Sequence, residues 1–509
     1  MTTESLTNKT FNGAKWSLAG NIIAAFISFI AGVILARILT VEQYGFLGMI
    51  TVFIAVSNAF IDSGFSNSLI RKKEVSVADY NTLFYFNVGV SVICFCILFL
   101  LAKPIADFYK MPLLVPVTRV VAITLIINAV GLVQSVVLTK QINFKVQAWV
   151  NMLSTSAGAL CAILLAVRGF GVWSLVWQLV VKQSVNTLLI WILCPWRPNG
   201  IFSASGFSWR CCREMFGYGS KLLVAGLLGM MFDNAAYIII GKFYTPKKLG
   251  YYTRGEQFTK FLSVNYTYAA QRATFPVLSM MQDDKARLKG AFIRVFRSIM
   301  LISVTLCMFL AAMAKPLVLS LLGVKWVESV QYLQLLCFIA MFFPLHAINL
   351  NIWEVKGRSD WILVAEFIKR GFQIIPVLIG IFVSIKYMLV AMIGVSIISL
   401  YVNNWGVNKL LGYSFYEEIK DIVPAFLLAV AVSSVIFCAQ FLPVNCYMQF
   451  VIQLIGGTAL FHFVYILIKQ PQYLELKDLI MLRIKGRNNS SNFSVSPDNN
   501  DNGIENEKR

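Results

Sequence analysis

Ionisable side chains are scarce in the apolar stretches of this 509-residue chain, and those that do occur there are of two kinds. Lys182, Arg272, Lys369 and Arg370 are cations within largely apolar runs, and Asn58 is a neutral hydrogen-bonding side chain in another. A cation at the centre of a membrane-spanning helix costs about 3 kcal/mol on insertion scales, so it is retained where a carboxylate or a visiting anion compensates it. These five residues are therefore candidates to line a cavity and bind an anionic ligand, phosphates above all. Asp62, Asp233 and Glu366 are the acids at comparable depth and are candidates to couple transport to a cation. Structural roles compete at each position. Glu366 lies three and four residues before Lys369 and Arg370, so the three share a helix face and can neutralise one another. Asp62 and Lys260 sit near span ends and suit interfacial ion pairs equally well, and Arg119, one turn into its span, suits snorkelling to the headgroups.

Motifs for covalent chemistry are absent. The chain has no H-E-x-x-H, no G-x-S-x-G, no phosphate-binding loop before a lysine and no G-x-G-x-x-G after a strand. His346 and His462 are the only histidines, and the ten cysteines show no paired spacing. No catalytic residue, metal site or cofactor is expected.

The elements that must position these charges follow from composition. The chain is 58% hydrophobic and 13% charged, with a mean hydropathy of +0.71; soluble domains carry roughly 25% charge. A net charge of +20 in such a chain points to cytoplasmic loops and anionic lipid rather than to nucleic acid. Twenty-one uncharged residues separate Lys15 from Arg37 and 23 separate Asp79 from Lys103, each enough for a helix to cross about 30 Å of hydrocarbon. Continuing along the chain predicts an all-α polytopic membrane protein with about 14 transmembrane helices, from Trp16–Ala36 to Tyr447–Ile468. The most polar are Gly255–Met280, with Lys260 and Arg272, and Trp361–Val383, with Glu366, Lys369 and Arg370. The first span reads as retained rather than as a cleaved signal. Placing both termini in the cytoplasm puts Arg71-Lys72-Lys73, Arg210, Arg213 and Lys285 to Arg297 on the cytoplasmic side, as the positive-inside rule requires.

An internal repeat divides the chain. At an offset of 205, Arg37-Ile38-Leu39-Thr40-Val41-Glu42-Gln43-Tyr44-Gly45-Phe46 aligns with Lys242-Phe243-Tyr244-Thr245-Pro246-Lys247-Lys248-Leu249-Gly250-Tyr251. Both copies follow the first span of a six-span set, so the repeat is parallel, about an axis along the membrane normal. The expected organisation is a six-helix lobe over 1–194, a cytoplasmic amphipathic linker over 195–221 and a second six-helix lobe over 222–410. Two further transmembrane helices over 411–470 and a tail over 471–509, disordered toward its end, complete it.

Several motifs carry a family likeness. Phe11-Asn12-Gly13-Ala14-Lys15-Trp16, Leu35-Ala36-Arg37-Ile38-Leu39-Thr40 with Gln43-Tyr44-Gly45, and Asp62-Ser63-Gly64-Phe65-Ser66 resemble those of Wzx-type polysaccharide and O-antigen flippases. Gly169-Phe170-Gly171-Val172-Trp173, Leu249-Gly250-Tyr251-Tyr252 and Phe275-Pro276-Val277-Leu278-Ser279 do so too, and the likeness is to the colanic-acid-exporter branch of the multidrug/oligosaccharidyl-lipid/polysaccharide exporter superfamily. The resemblance implies two lobes in a V, two extra helices and a place in the bacterial cytoplasmic membrane. It implies export of undecaprenyl-diphosphate-linked oligosaccharide for lipopolysaccharide O-antigen or exopolysaccharide, without enzymatic activity. Partners would be the polyprenyl-diphosphate substrate, membrane lipids, and a polysaccharide polymerase with other assembly proteins, but no nucleic acid. Two rivals follow from the same residues. A cation-coupled drug or metabolite antiporter of the superfamily would carry a net acidic cavity, whereas the surplus here is basic. A membrane polymerase or ligase would need longer external loops.

Overall fold

Long apolar runs punctuated by Ser, Thr, Asn and Gly give helices with defined ends. The computed structural model describes residues 3–62, 65–72, 75–198, 208–474 and 477–478. The described part of the expected linker stops short of 199–207, and residues 479–509 of the tail lie outside the described residues. Among the described residues all regular structure is helical. The first half contains α1 (Thr3–Ile38), α2 (Val41–Asp62), α3 (Phe65–Arg71), α4 (Val77–Tyr109), α5 (Leu114–Lys140), α6 (Phe144–Val167) and α7 (Val172–Leu193). The second half contains α8 (Trp209–Asp233), α9 (Ala235–Phe243), α10 (Pro246–Met280), α11 (Lys285–Ala312), α12 (Ala314–Leu321), α13 (Ser329–Ala340), α14 (Phe343–Val355), α15 (Ser359–Phe382) and α16 (Ile385–Leu411). Two more, α17 (Phe415–Cys438) and α18 (Cys446–Leu467), follow.

Among the described residues, eleven spans are long and apolar enough to cross a membrane, with α13 and α14 together forming one of them. The chain is a multi-pass membrane protein. The three other expected spans are helical but more polar: α8 with α9, α10, and α15. One of them is interrupted. The helix expected over Leu222–Gly241 starts already at Trp209 and breaks at Asn234, which caps both α8 and α9.

Local caps set the starts. Ser76 and Asp79 form a reciprocal capping box at α4, with Asp79 Oδ2 accepting from Ser76 N at 2.9 Å; Ser414 and Glu417 do the same at α17. In the first half α1 packs along α6, α6 along α7, and α5 along α4 and α7. Small residues permit this closeness: a Cβ on Gly20 would stand 2.4 Å from that of Ala148. In the second half the buried Trp353, Phe292 and Phe296 pack into the core around α11, α14 and α16. The C-terminal pair docks on this half, where Glu418 of α17 accepts from Asn349 Nδ2 at 2.9 Å.

Candidate functional site

The two halves meet where the sequence repeat is strongest. Thr245 accepts from Lys248 N at 3.3 Å and Pro246 presets the first turn, so α10 begins sharply. On the equivalent turn of α2, Thr40 N donates to Gln43 Oε1 at 3.0 Å. The helices then cross with no room for a side chain. A Cβ on Gly45 would lie 1.9 Å from the Pro246 carbonyl oxygen, and one on Gly250 would lie 2.1 Å from the Val41 carbonyl oxygen. These contacts exchange under the offset of 205, since 45 and 41 become 250 and 246, so a pseudo-two-fold axis passes between them.

Around this seam the end of the molecule is closed. Trp326 is fully buried, donates Nε1–H to Ala36 O at 2.9 Å, and stacks edge-on against Tyr44 at 5.4 Å and Tyr251 at 6.2 Å. Lys325 donates to the carbonyls of Arg37 and Leu39, and burial holds its pKa below the usual lysine value. One turn inward stands Arg254, only 3% exposed. Its guanidinium donates to Gly32 O and Gln257 Oε1 and lies 4.1 Å from the Tyr44 ring centroid, with no carboxylate partner among the described residues. Glu256, also buried, accepts from Tyr237 and Tyr252 and pairs with Lys260 at 3.0 Å. Sequence reading missed Arg254 because the polar residues around it mask the start of the helix. The repeat held the signal: residue 254 corresponds to Met49, about two turns inside α2.

Four of the eight residues singled out from sequence come together behind the seam. Arg370 on α15 donates to Asp233 at 2.7 Å, across the α8–α9 break, and lies 3.4 Å from Glu366; Lys369 pairs with Glu366. Two acids and two bases make this cluster neutral in sum. The other half supplies amides. Gln183 on α7 donates to Asn128 at 3.1 Å, and Asn128 donates to Asn58 at 2.9 Å, joining α7, α5 and α2. Lys182, adjacent to this ladder, packs against Gly158 and has no charged partner among the described residues. Asp62 ends α2 with its Oδ1 buried and unpaired among the described residues. Arg272 lies on α10, but its side chain is outside the described residues.

The remaining polar candidates have local partners. His346 Nδ1 is 3.3 Å from Asn403 Nδ2. Arg119 covers the Phe99 ring at 4.3 Å, and no group of three or more His, Cys, Asp or Glu that could hold a metal occurs among the described residues.

Residues 34–331, more than half of the chain, match a family described as polysaccharide biosynthesis protein. The chain belongs to that family. The family match covers both glycines of the seam, Arg254 and the amide ladder, and ends before α15. Teichuronic acid biosynthesis protein TuaB of Bacillus subtilis is 22% identical over 444 residues, 85% of this chain and 89% of its own. Lipopolysaccharide biosynthesis protein WzxC of Escherichia coli is 23% identical over 432 residues, 84% and 86%. The lipid II flippase MurJ, in an inward closed conformation, shares the fold with a TM-score of 0.72 at 10% identity, over 90% of this chain and 99% of that one. A multidrug transporter of the MATE family, facing inward, does so at 0.58 and 15% identity, over 81% and 95%.

Proposed function

We propose that this polysaccharide biosynthesis protein is a flippase that moves undecaprenyl-diphosphate-linked oligosaccharide across the bacterial cytoplasmic membrane. It acts by alternating access and without catalysis. The observation that carries the reading is the seam. Two repeat-related halves touch through glycines at one end, a contact that can separate as a unit while each half stays packed. The names of the relatives, all concerned with surface polysaccharide, supply the substrate class. A diphosphate headgroup cannot cross hydrocarbon unaided, so the protein gives it a hydrated path between the halves while the polyprenyl chain remains in lipid. Both termini lie in the cytoplasm, and the Gly45–Gly250 end is the outer gate, closed in this conformation.

Because Asp233, Glu366, Lys369 and Arg370 neutralise one another, the headgroup's counter-charge falls to Lys182, Arg254 and Arg272. Arg254 is held by carbonyl and amide oxygens, which a phosphate can replace when the seam opens. Asp62, Asp233 and Glu366 are the groups through which a cation gradient would bias the cycle, and the exported lipid would pass to a polysaccharide polymerase and other assembly proteins. The test is a deletion in the native host, complemented by the intact chain. The deletion should accumulate cytoplasm-facing lipid-linked oligosaccharide and lose surface polysaccharide. Accumulation on the outer face instead would overturn the flippase reading in favour of a later step.

A further inference from the structure

Within the first half, α1, α5, α6 and α7 line a half-open pocket of about 250 Å³, room for far more than one water molecule. Six of its lining side chains are polar and none is ionisable: Ser17, Asn21, Ser135, Gln147, Asn151 and Asn186. Ser135 lies near the end of α5, Gln147 and Asn151 near the start of α6 and Asn186 about two turns before the end of α7, with Ser17 and Asn21 midway along α1, so the pocket stands well away from the seam that follows Ile38. We propose that this pocket binds the uncharged sugar portion of the transported lipid, a deepening that rests on the flippase reading.

The hydrogen-bond inventory argues for that ligand. Gln147 spends its amide N–H groups on Ser135 O and Thr139 Oγ1, both at 2.9 Å. Asn151 donates to Asn21 Oδ1 at 3.4 Å and Asn186 to Ser154 Oγ at 3.5 Å. The side-chain oxygens of Gln147, Asn151 and Asn186, and the Nδ2 of Asn21, are left without protein partners among the described residues. Amides at membrane depth are costly unless paired, and here α1, α6 and α7 turn four of them toward one pocket, with Ser135 of α5 beside them. A sugar hydroxyl donates and accepts at once, so vicinal hydroxyls match a ring of amide oxygens with an amide N–H beside them. Phe144 in the wall offers an apolar face for the C–H side of a pyranose. An anion would find no positive charge in this lining, and a lipophilic cation no carboxylate. Neither Lys182 nor Arg254 lines the pocket, so the sugar is read apart from the diphosphate.

The test uses the full-length chain in proteoliposomes. Two lipids are supplied to each preparation: polyprenyl diphosphate bearing the host's complete repeat unit, and the same lipid bearing only its first sugar. The quantity read is the ratio of their flipping rates, which does not depend on how much protein is folded. Asn151→Leu and Asn186→Leu should each lower that ratio about tenfold, as expected for the loss of one to two hydrogen bonds to a polar ligand. Asn151→Ser, which keeps a hydroxyl, should fall between. An unchanged ratio in both leucine variants would overturn the pocket assignment and assign it to water alone. Failure of the unaltered chain to flip either lipid would overturn the flippase reading itself, a separate result.

Discussion

At Gly45 and Gly250 the two halves are interchangeable, each glycine lying under the other half's first-turn carbonyl. Behind that seam they part. The first half keeps a neutral interior of Asn58, Asn128 and Gln183 with Lys182 at its side, whereas the second holds Asp233, Glu366, Lys369 and Arg370 in a network of ion pairs. Helix by helix the difference persists: α1 is continuous and packs along α6, while its counterpart is broken into α8 and α9. The repeat symmetry is kept at the seam and lost behind it, as the proposed alternating access to a ligand with chemically unlike ends would require.

The largest effect should come from the symmetric contact. Gly45→Val and Gly250→Val place branched side chains where even a Cβ meets a carbonyl oxygen within about 2 Å, so neither variant can close this end. Each should reduce surface polysaccharide to the deletion level while membrane abundance stays near normal, and the two should be equal. Cysteines introduced after Arg37 and after Lys242 should become permanently reactive to an impermeant thiol reagent in both variants. Unequal losses would break the symmetry argument.

Smaller effects should separate the two interiors. Lys369 has a nearly buried side chain and one carboxylate partner, so Lys369→Ala should destabilise the protein by about 2 kcal/mol, with some of that restored by adding Glu366→Ala. Thermal unfolding in detergent reads this, and additive losses would show that the pair is not coupled. Arg370→Ala should cost less, about 1 kcal/mol, because its Asp233 partner is largely solvent-exposed. The swap Asp233→Arg with Arg370→Asp should recover export better than either change alone. In the neutral half, Asn128→Ala removes two amide bonds and should cost about 1 kcal/mol, with no dependence on salt. A salt-dependent loss there would erase the contrast between the halves.

Most of the fold was legible because membrane helices advertise themselves by length without charge, as Tyr80 to Ala102 do within α4. Even α10 and α15, which carry charges inside their apolar runs, are legible as helices. The break at Asn234 was not foreseen, since hydropathy averages over the Asp233-Asn234 pair that produces it. The early start of α8 was hidden by Arg210 and Arg213, which read as a loop. At the site, Glu366 with Lys369 followed from helical spacing alone. The bond from Arg370 to Asp233 joins residues 137 positions apart, and no local pattern encodes it. Arg254 was missed because charge near a span end reads as exposed; only tertiary packing of α1 and α2 makes it buried.

The helix that opens the second half does not stay with it: α8 lies against α2, α3 and α4, and Ser208 just before it donates from its backbone to Thr82 at 3.0 Å. Seven helices of the first half leave the ribosome before α8 does, so its docking surface is already in the bilayer when it arrives. The order of synthesis thus matches the order of assembly, and the second half enters the membrane onto a template. Expressed by itself, it would insert with α8 unsheltered. The two halves thus form a single cotranslational product, which a split gene could restore only by supplying the first half in time.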